Sequence, residues 1–191
     1  QQRLDQLLAA GPRVALDLRS PDACATAMRT AVEHHGKLDV VINAVGVVAF
    51  GDVATLSTDV MEDLFMTNTF IPIMIATEAM NTLSIGGVIV NISGVIAEQN
   101  LPGMVAYGAS KAALRAFDEG LAREARRKGV RVIDARPPHT ETGLSSRAIA
   151  GDPPKFPVGL DPIKVAQRIV RAIADGETDL PSTVFAVLSG D

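Results

Sequence analysis

Gly87-Val-Ile-Val-Asn-Ile92, with Tyr107-Gly-Ala-Ser-Lys111 a short loop later, is the stretch from which the architecture follows. The first run is short, apolar and β-branched, the composition of a strand buried on both faces. A loop containing Pro102 and Gly103 leads into a helix predicted over Tyr107 to Arg127, and Val130 to Ala135 is the next strand-like run. Strand, helix and strand in succession make a parallel unit. The alternation continues outward. Arg13 to Leu16 reads as a strand ending at Asp17-Leu18, and Pro21 opens a helix to about Glu33, with Ser20 at the N-cap. Lys37 to Asn43, with Leu-Asp-Val-Val-Ile inside it, reads as a buried strand. A helix begins near Ser57 with Val60, Leu64 and Phe65 on one face, and Pro72, one turn after Asn68, predicts a break or kink. Pro137 to Pro157 reads as a loop or lid. Asp161-Pro162 starts a last helix to about Asp175, and Thr183 to Leu188 reads as a final strand.

This order predicts an α/β fold, a doubly wound parallel sheet in three layers. Ligands in such sheets bind beyond the carboxyl ends of the strands, which directs attention to the loops after Leu16, Asn43, Ile92 and Ala135. The 191 residues suit one domain, and 47% hydrophobic with 21% charged residues is a globular composition. A net charge of -4 gives no basic face for nucleic acid. The basic stretch from Arg123 to Lys128 falls late in a predicted helix, where cations complement the dipole. Cys24 is the single cysteine, so no internal disulfide or cysteine-based metal cage is expected, and a reducing cytoplasm fits. The charge-free stretch from Ala79 to Ala97 holds Asn81, Ser84, Gly86, Gly87 and Asn91, which argues against a membrane span. Gln1 to Pro12 lacks the pattern of a signal peptide and reads as a helix closed by Gly11. His34, His35 and His139 lack metal-ligand spacing.

Tyr107 and Lys111 stand four residues apart and share a helix face. A free phenol titrates near about 10, and a neighbouring cation lowers that value. The pair therefore suits proton exchange at a substrate oxygen, and Tyr107 is the chain's single tyrosine.

From Asp17 to about Thr142 the chain resembles the short-chain dehydrogenase/reductase family, whose fold is Rossmann-type and whose cofactor is NAD(P). Ala106-Tyr-Gly-Ala-Ser-Lys-Ala-Ala113 resembles the catalytic helix. Asn43-Ala-Val-Gly46 resembles the Asn-Asn-Ala-Gly turn, with Ala44 and Val45 replacing two of its residues. Asn68 stands where the family has its active-site asparagine, and Arg136-Pro-Pro-His-Thr-Glu-Thr142 resembles the Pro-Gly segment, with Pro138 in place of glycine.

The resemblance implies an oxidoreductase interconverting a ketone or aldehyde and an alcohol. Tyr107 is the acid-base group, Lys111 lowers its pKa and holds the nicotinamide ribose, and Asn68 anchors a relay water. Asp17 and Leu18 lie beside the adenine. Asn43 and Gly46 shape the cofactor turn, and Pro137, Thr140 and Thr142 face the nicotinamide. NADP or NAD is implied, with a slight preference for NADP. The family's substrate serine is replaced by Gly94, and Ser93, one residue earlier, serves the reacting oxygen only if the loop shifts by one residue. Gly94 supports an alternative, a catalytically impaired nucleotide-binding or regulatory relative, whereas the enzyme reading predicts that Gly94→Ser keeps or raises activity. His139 is a candidate for the substrate pocket, and with Ser93 it evokes a hydrolase, but the Gly-x-Ser-x-Gly elbow is missing.

Homodimers or homotetramers formed through Ser57 to Thr82 and Tyr107 to Arg127 are implied, with a small carbonyl or alcohol substrate, no nucleic acid and no membrane. The family's glycine-rich βαβ start has no counterpart after Gln1, so residues 1-191 are expected to be a single Rossmann-type domain lacking its first βαβ unit, with 137-160 as substrate lid. An intact mass larger than that of these 191 residues is the expected sign of a longer protein.

Overall fold

A computed structural model of the chain describes residues 12–189. Four strands, β1 (Val40–Asn43), β2 (Val88–Ile92), β3 (Arg131–Ala135) and β4 (Asp179–Leu180), form one parallel sheet in the order β1-β2-β3-β4. Helices α1 (Pro21–His35), α2 (Thr58–Phe65), α3 (Ile71–Thr82), α4 (Val105–Arg126) and α5 (Pro162–Asp175) connect or flank them. The architecture is the predicted doubly wound α/β sheet.

Period-two alternation along the strands builds two cores. Val41, Ile89 and Val132 face Cys24 of α1, Ile71, Ile75, Ala76 and Ala79 of α3, and Ala125 of α4. On the opposite face Val88, Val90, Ile133 and Ala135 meet Val165, Ile169 and Ala172 of α5, together with Phe185. Helices therefore cover both faces, as a parallel sheet requires.

Pro72 does not break its helix. Met66–Phe70 forms a π-helical turn between α2 and α3, in which the Ile71 amide donates to the Met66 carbonyl. The wider turn absorbs the missing proline donor within the first turn of α3.

Two local expectations are corrected. Arg13 to Leu16 is not a strand, because no neighbouring strand pairs with it among the described residues, and Val14 is exposed. Thr183 to Leu188 lies in a 3-10 turn over Ser182–Ser189. There Val184, Phe185 and Leu188 pack on one core, a helical spacing that β-branched composition concealed. Ser20 occupies the N-cap of α1 as expected, its carbonyl accepting from Ala23 and Cys24 while its side chain makes no cap hydrogen bond. The predicted helix before Gly11 lies outside the described residues. Among the described residues no helix is long and apolar enough to cross a membrane.

Candidate active site

The candidate site forms where β1 and β2 end against α4. Gly108 lets the turn after β2 lie on that helix, since a Cβ there would stand 2.9 Å from Asn100 Oδ1 and 3.4 Å from Ile96 Cγ1. Tyr107 and Lys111 follow on one helix face. Lys111 is buried, and its ammonium donates to the Ile92 carbonyl at 2.8 Å.

Asn68, fully buried in the π-turn, is held three times: its Oδ1 accepts from the Val47 amide at 2.9 Å, while its Nδ2 donates to the Val47 carbonyl at 2.9 Å and to Ser110 Oγ at 3.0 Å. Gly46 lies against both groups. A Cβ at that position would stand 3.2 Å from Asn68 Oδ1 and 3.4 Å from Lys111 Nζ. Asn43, Gly46, Asn68 and Lys111 thus come together around one end of the sheet, with Tyr107 one helical turn before Lys111 and packed on the adjoining apolar residues.

Burial pushes the Tyr107 phenol up to about 12. The expected lowering by Lys111 is not seen in this arrangement, where the ammonium is turned to the Ile92 carbonyl. Burial likewise pulls Lys111 down to about 8, against Asp134 and Asp118, whose carboxyls favour its charge. At neutral pH Tyr107 is a protonated phenol and Lys111 an ammonium.

Ser93 is not part of this group. It is fully buried, and its hydroxyl donates to Asp134 Oδ1. The one-residue shift that would bring it to the reacting oxygen does not occur, because the Ser93 and Gly94 amides are both fixed to the Ala135 carbonyl at 3.0 and 3.2 Å. Gly94 itself sits at φ 81°, ψ 164°, backbone that only glycine adopts readily.

Beyond β3, the Pro137 carbonyl accepts from Val95 at 3.0 Å and Thr140 Oγ1 donates to the Pro138 carbonyl at 2.9 Å. Thr142 is exposed. Asp17 is exposed and accepts from the Arg19 amide at 3.2 Å, whereas Leu18 packs against the α1-α3 core.

The segment from 148 to 151 joins the turn after β1. Ile149 donates to Val48 and Phe50 to Ala150, at 2.8 and 2.9 Å, and a Cβ on Gly151 would collide with the Phe50 carbonyl at 1.9 Å. Above Tyr107 this leaves an apolar wall of Val48, Phe50, Ile96 and Met104, against which Phe156 also packs. His139 stacks on Phe156 with ring centres 4.8 Å apart.

Sequence reasoning missed the polar residues beneath the site. Arg136, 4% exposed, binds Asp134, Glu98 and Asp179, and Glu98 in turn accepts from Ser182. Burial opposes the Arg136 charge, but Asp134 and Glu98 outweigh it and raise its pKa above the ordinary guanidinium range. Asn91 donates to Asp118 at 2.6 Å. The available signal was a polar residue inside each apolar strand, Asn91 in one and Asp134 in the other.

A family model for short chain dehydrogenases matches residues 3–152. The chain belongs to that family. Among curated members, it is 30% identical over 176 residues to dehydrogenase/reductase SDR family member 7B of Danio rerio, covering 87% of this chain and 57% of the relative. It is 32% identical over 132 residues to a versicolorin reductase of Emericella nidulans, covering 69% and 50%. The chain spans about half the length of these short-chain dehydrogenase relatives.

Among solved structures, a short-chain dehydrogenase from Streptomyces avermitilis superposes with a TM-score of 0.76 at 24% identity, over 93% of this chain and 72% of that one. A dehydrogenase from Burkholderia cenocepacia with bound NADP does so with a TM-score of 0.80 at 24% identity, over 91% and 72%. Both show the shared fold.

Proposed function

We propose that the chain carries the catalytic helix of a nicotinamide-dependent oxidoreductase that interconverts a ketone or aldehyde and an alcohol. The observation that carries this reading is the buried Lys111 ammonium beside Asn68 and the Gly46 turn, on the same helix face as Tyr107.

The residues fit the cofactor. Position 46 offers bare backbone next to the ammonium, which a side chain there would fill. Lys111 and the Asn43–Gly46 turn would hold the ribose side, Pro137, Thr140 and Thr142 the nicotinamide side, and Asp17 with Leu18 the adenine side. When bound, the cofactor supplies or accepts the hydride.

The chain's own residues handle the proton and the surroundings. Tyr107 holds its proton at neutral pH and donates it to the oxygen of a reduced carbonyl. Lys111 carries its charge on the same helix face, and an ammonium turned from the Ile92 carbonyl toward the phenol would favour the phenolate left behind. Asn68 fixes the turn on which Lys111 rests. The lid, residues 137-160, excludes water with Phe50 and Phe156. The cofactor is NADP or NAD, and a neighbour of the same fold binds NADP.

The test is nicotinamide oxidation by the full-length protein across a carbonyl panel. Tyr107→Phe is expected to lower turnover by about 10² or more while cofactor fluorescence on binding survives. A fully active Tyr107→Phe removes the assignment.

Gly94 favours a second reading, a weak enzyme that binds nucleotide for regulation. No side chain at 94 donates to the reacting oxygen, and the Gly94 amide is spent on Ala135. Loss of one such donor costs roughly 10² to 10³ in rate. Cofactor binding without turnover of any carbonyl supports this reading, and steady turnover rejects it.

A further inference from the structure

At their carboxyl ends the four strands align one polar residue each. Asn43 pairs in register with Asn91, Asn91 with Asp134, and Asp134 with Asp179. Asn43, Asn91 and Asp134 are buried, whereas strands covered on both faces are ordinarily apolar.

Asp118 reaches this row from α4, 2% exposed and two turns beyond Lys111 on the same helix face. A continuous hydrogen-bonded chain runs from it to the turn beside the ammonium. Asn91 Nδ2 donates to Asp118 Oδ1 at 2.6 Å, Asn43 Nδ2 to Asn91 Oδ1 at 3.1 Å, and the Val45 amide to Asn43 Oδ1 at 3.1 Å. The next residue is Gly46, against Asn68 and Lys111. The second oxygen of Asp118 is buried without a hydrogen-bond partner. A carboxyl held by a single amide in the interior is costly where an alcohol or an apolar side chain would serve packing alone. Neither the Tyr107 chemistry nor the lid uses it.

We propose that Asp118 is a positioning residue: through Asn91 and Asn43 it fixes the turn that carries Gly46, and from the same helix face its carboxylate favours the ammonium form of Lys111. The inference rests on the proposed role of Lys111 for its effect on turnover, but not for the charge coupling itself.

The groups around the pair support it. From β2, Asn91 and the Ile92 carbonyl face Asp118 and Lys111, and from β3 comes Asp134, already engaged by Ser93 and Arg136, with Asp179 alongside. Glu98, from the turn after Gly94, pairs with Arg136. The π-turn contributes Asn68 and Thr69, neither of which titrates, and α3 adds apolar Ile71 and Ile75 to the core shared with Phe117 and Leu121. Burial, against the Asn91 hydrogen bond, raises Asp118 to about 8, the same value to which Lys111 is lowered. The carboxylate therefore appears over the pH range in which the ammonium would otherwise be lost.

The experiment follows the lysine side-chain signals of isotope-labelled protein against pH by NMR, with Lys111 assigned by its disappearance in Lys111→Arg. Asp118→Asn keeps the acceptor for Asn91 and removes the charge. It is expected to melt at or above the wild-type temperature at pH 7 and to lower the Lys111 midpoint by about one unit. Asp118→Leu is expected in addition to shift the Val45 amide signal. An unchanged Lys111 midpoint in folded Asp118→Asn overturns the proposal. Should Asp118→Asn fail to fold, the wild-type protein decides: the Asp118 carboxyl carbon titrates over the same range as Lys111, and a carboxyl titrating below about pH 5 overturns the proposal. No readout involves turnover, so failure here is distinct from failure of the oxidoreductase reading, which Tyr107→Phe tests.

Discussion

Gly94 shows how a single missing side chain is built into the backbone. The resemblance alone suggests that Gly94→Ser restores a donor, and space would allow it, the nearest atom to an added Cβ being the Pro137 carbonyl at 3.8 Å. The backbone does not, because φ 81°, ψ 164° is a region that side chains avoid. Gly94→Ser is therefore expected to cost about 1–3 kcal/mol of stability and to bring no gain in turnover, checked by thermal unfolding beside the carbonyl assay. The buried acid gives a second expectation. Asp118 titrates near 8 when folded and near about 4 when unfolded, so between these values the folded state binds more protons and stability falls as pH rises. Lys111 titrates near 8 when folded and about 10 when unfolded. Above pH 8 the unfolded state binds the extra proton, and stability recovers. Urea unfolding against pH should show a minimum near 8, and Asp118→Asn should flatten its acidic side.

At the scale of elements, much of the fold was legible because each strand and helix announces itself locally. Leu-Asp-Val-Val-Ile and Gly-Val-Ile-Val-Asn-Ile became β1 and β2, and Asp161-Pro162 opened α5, with the Asp161 side chain accepting from the Ile163 amide. Tyr107 and Lys111 stood out by their four-residue spacing, whereas Asn68 was singled out by the family resemblance alone. What failed depends on partners. A strand at Arg13 to Leu16 needs a neighbour, and the tail after Pro181 chose a turn that buries Phe185. Pro72 marked an irregularity correctly, but its form, a widened turn that buries Asn68, depends on what Val47 and Ser110 offer across the fold. Asp118, Asp134, Arg136 and Glu98 were invisible as a set because their contacts join residues far apart in sequence.

For the molecule as a whole, Arg136 is the knot. It binds Asp134 on β3, Asp179 on β4 and Glu98 in the turn after Gly94, while Glu98 reaches Ser182 in the last turn. Arg136→Met would leave the buried Asp134 and the half-buried Glu98 without their cation. A loss of about 3–5 kcal/mol is expected, read as a lowered denaturation midpoint at neutral pH. On the other side of Tyr107, the proposed lid, residues 137-160, is held to the body by backbone as well as by Phe156. The Ile149 and Phe50 amides are the two rungs of that junction. Because both rungs break when the lid lifts, these amides should exchange their hydrogens with solvent at one common rate, slower in the presence of cofactor and carbonyl ligand. A pair of backbone hydrogens, one on either side of α4 in the sequence, thus becomes a clock for access to the phenol.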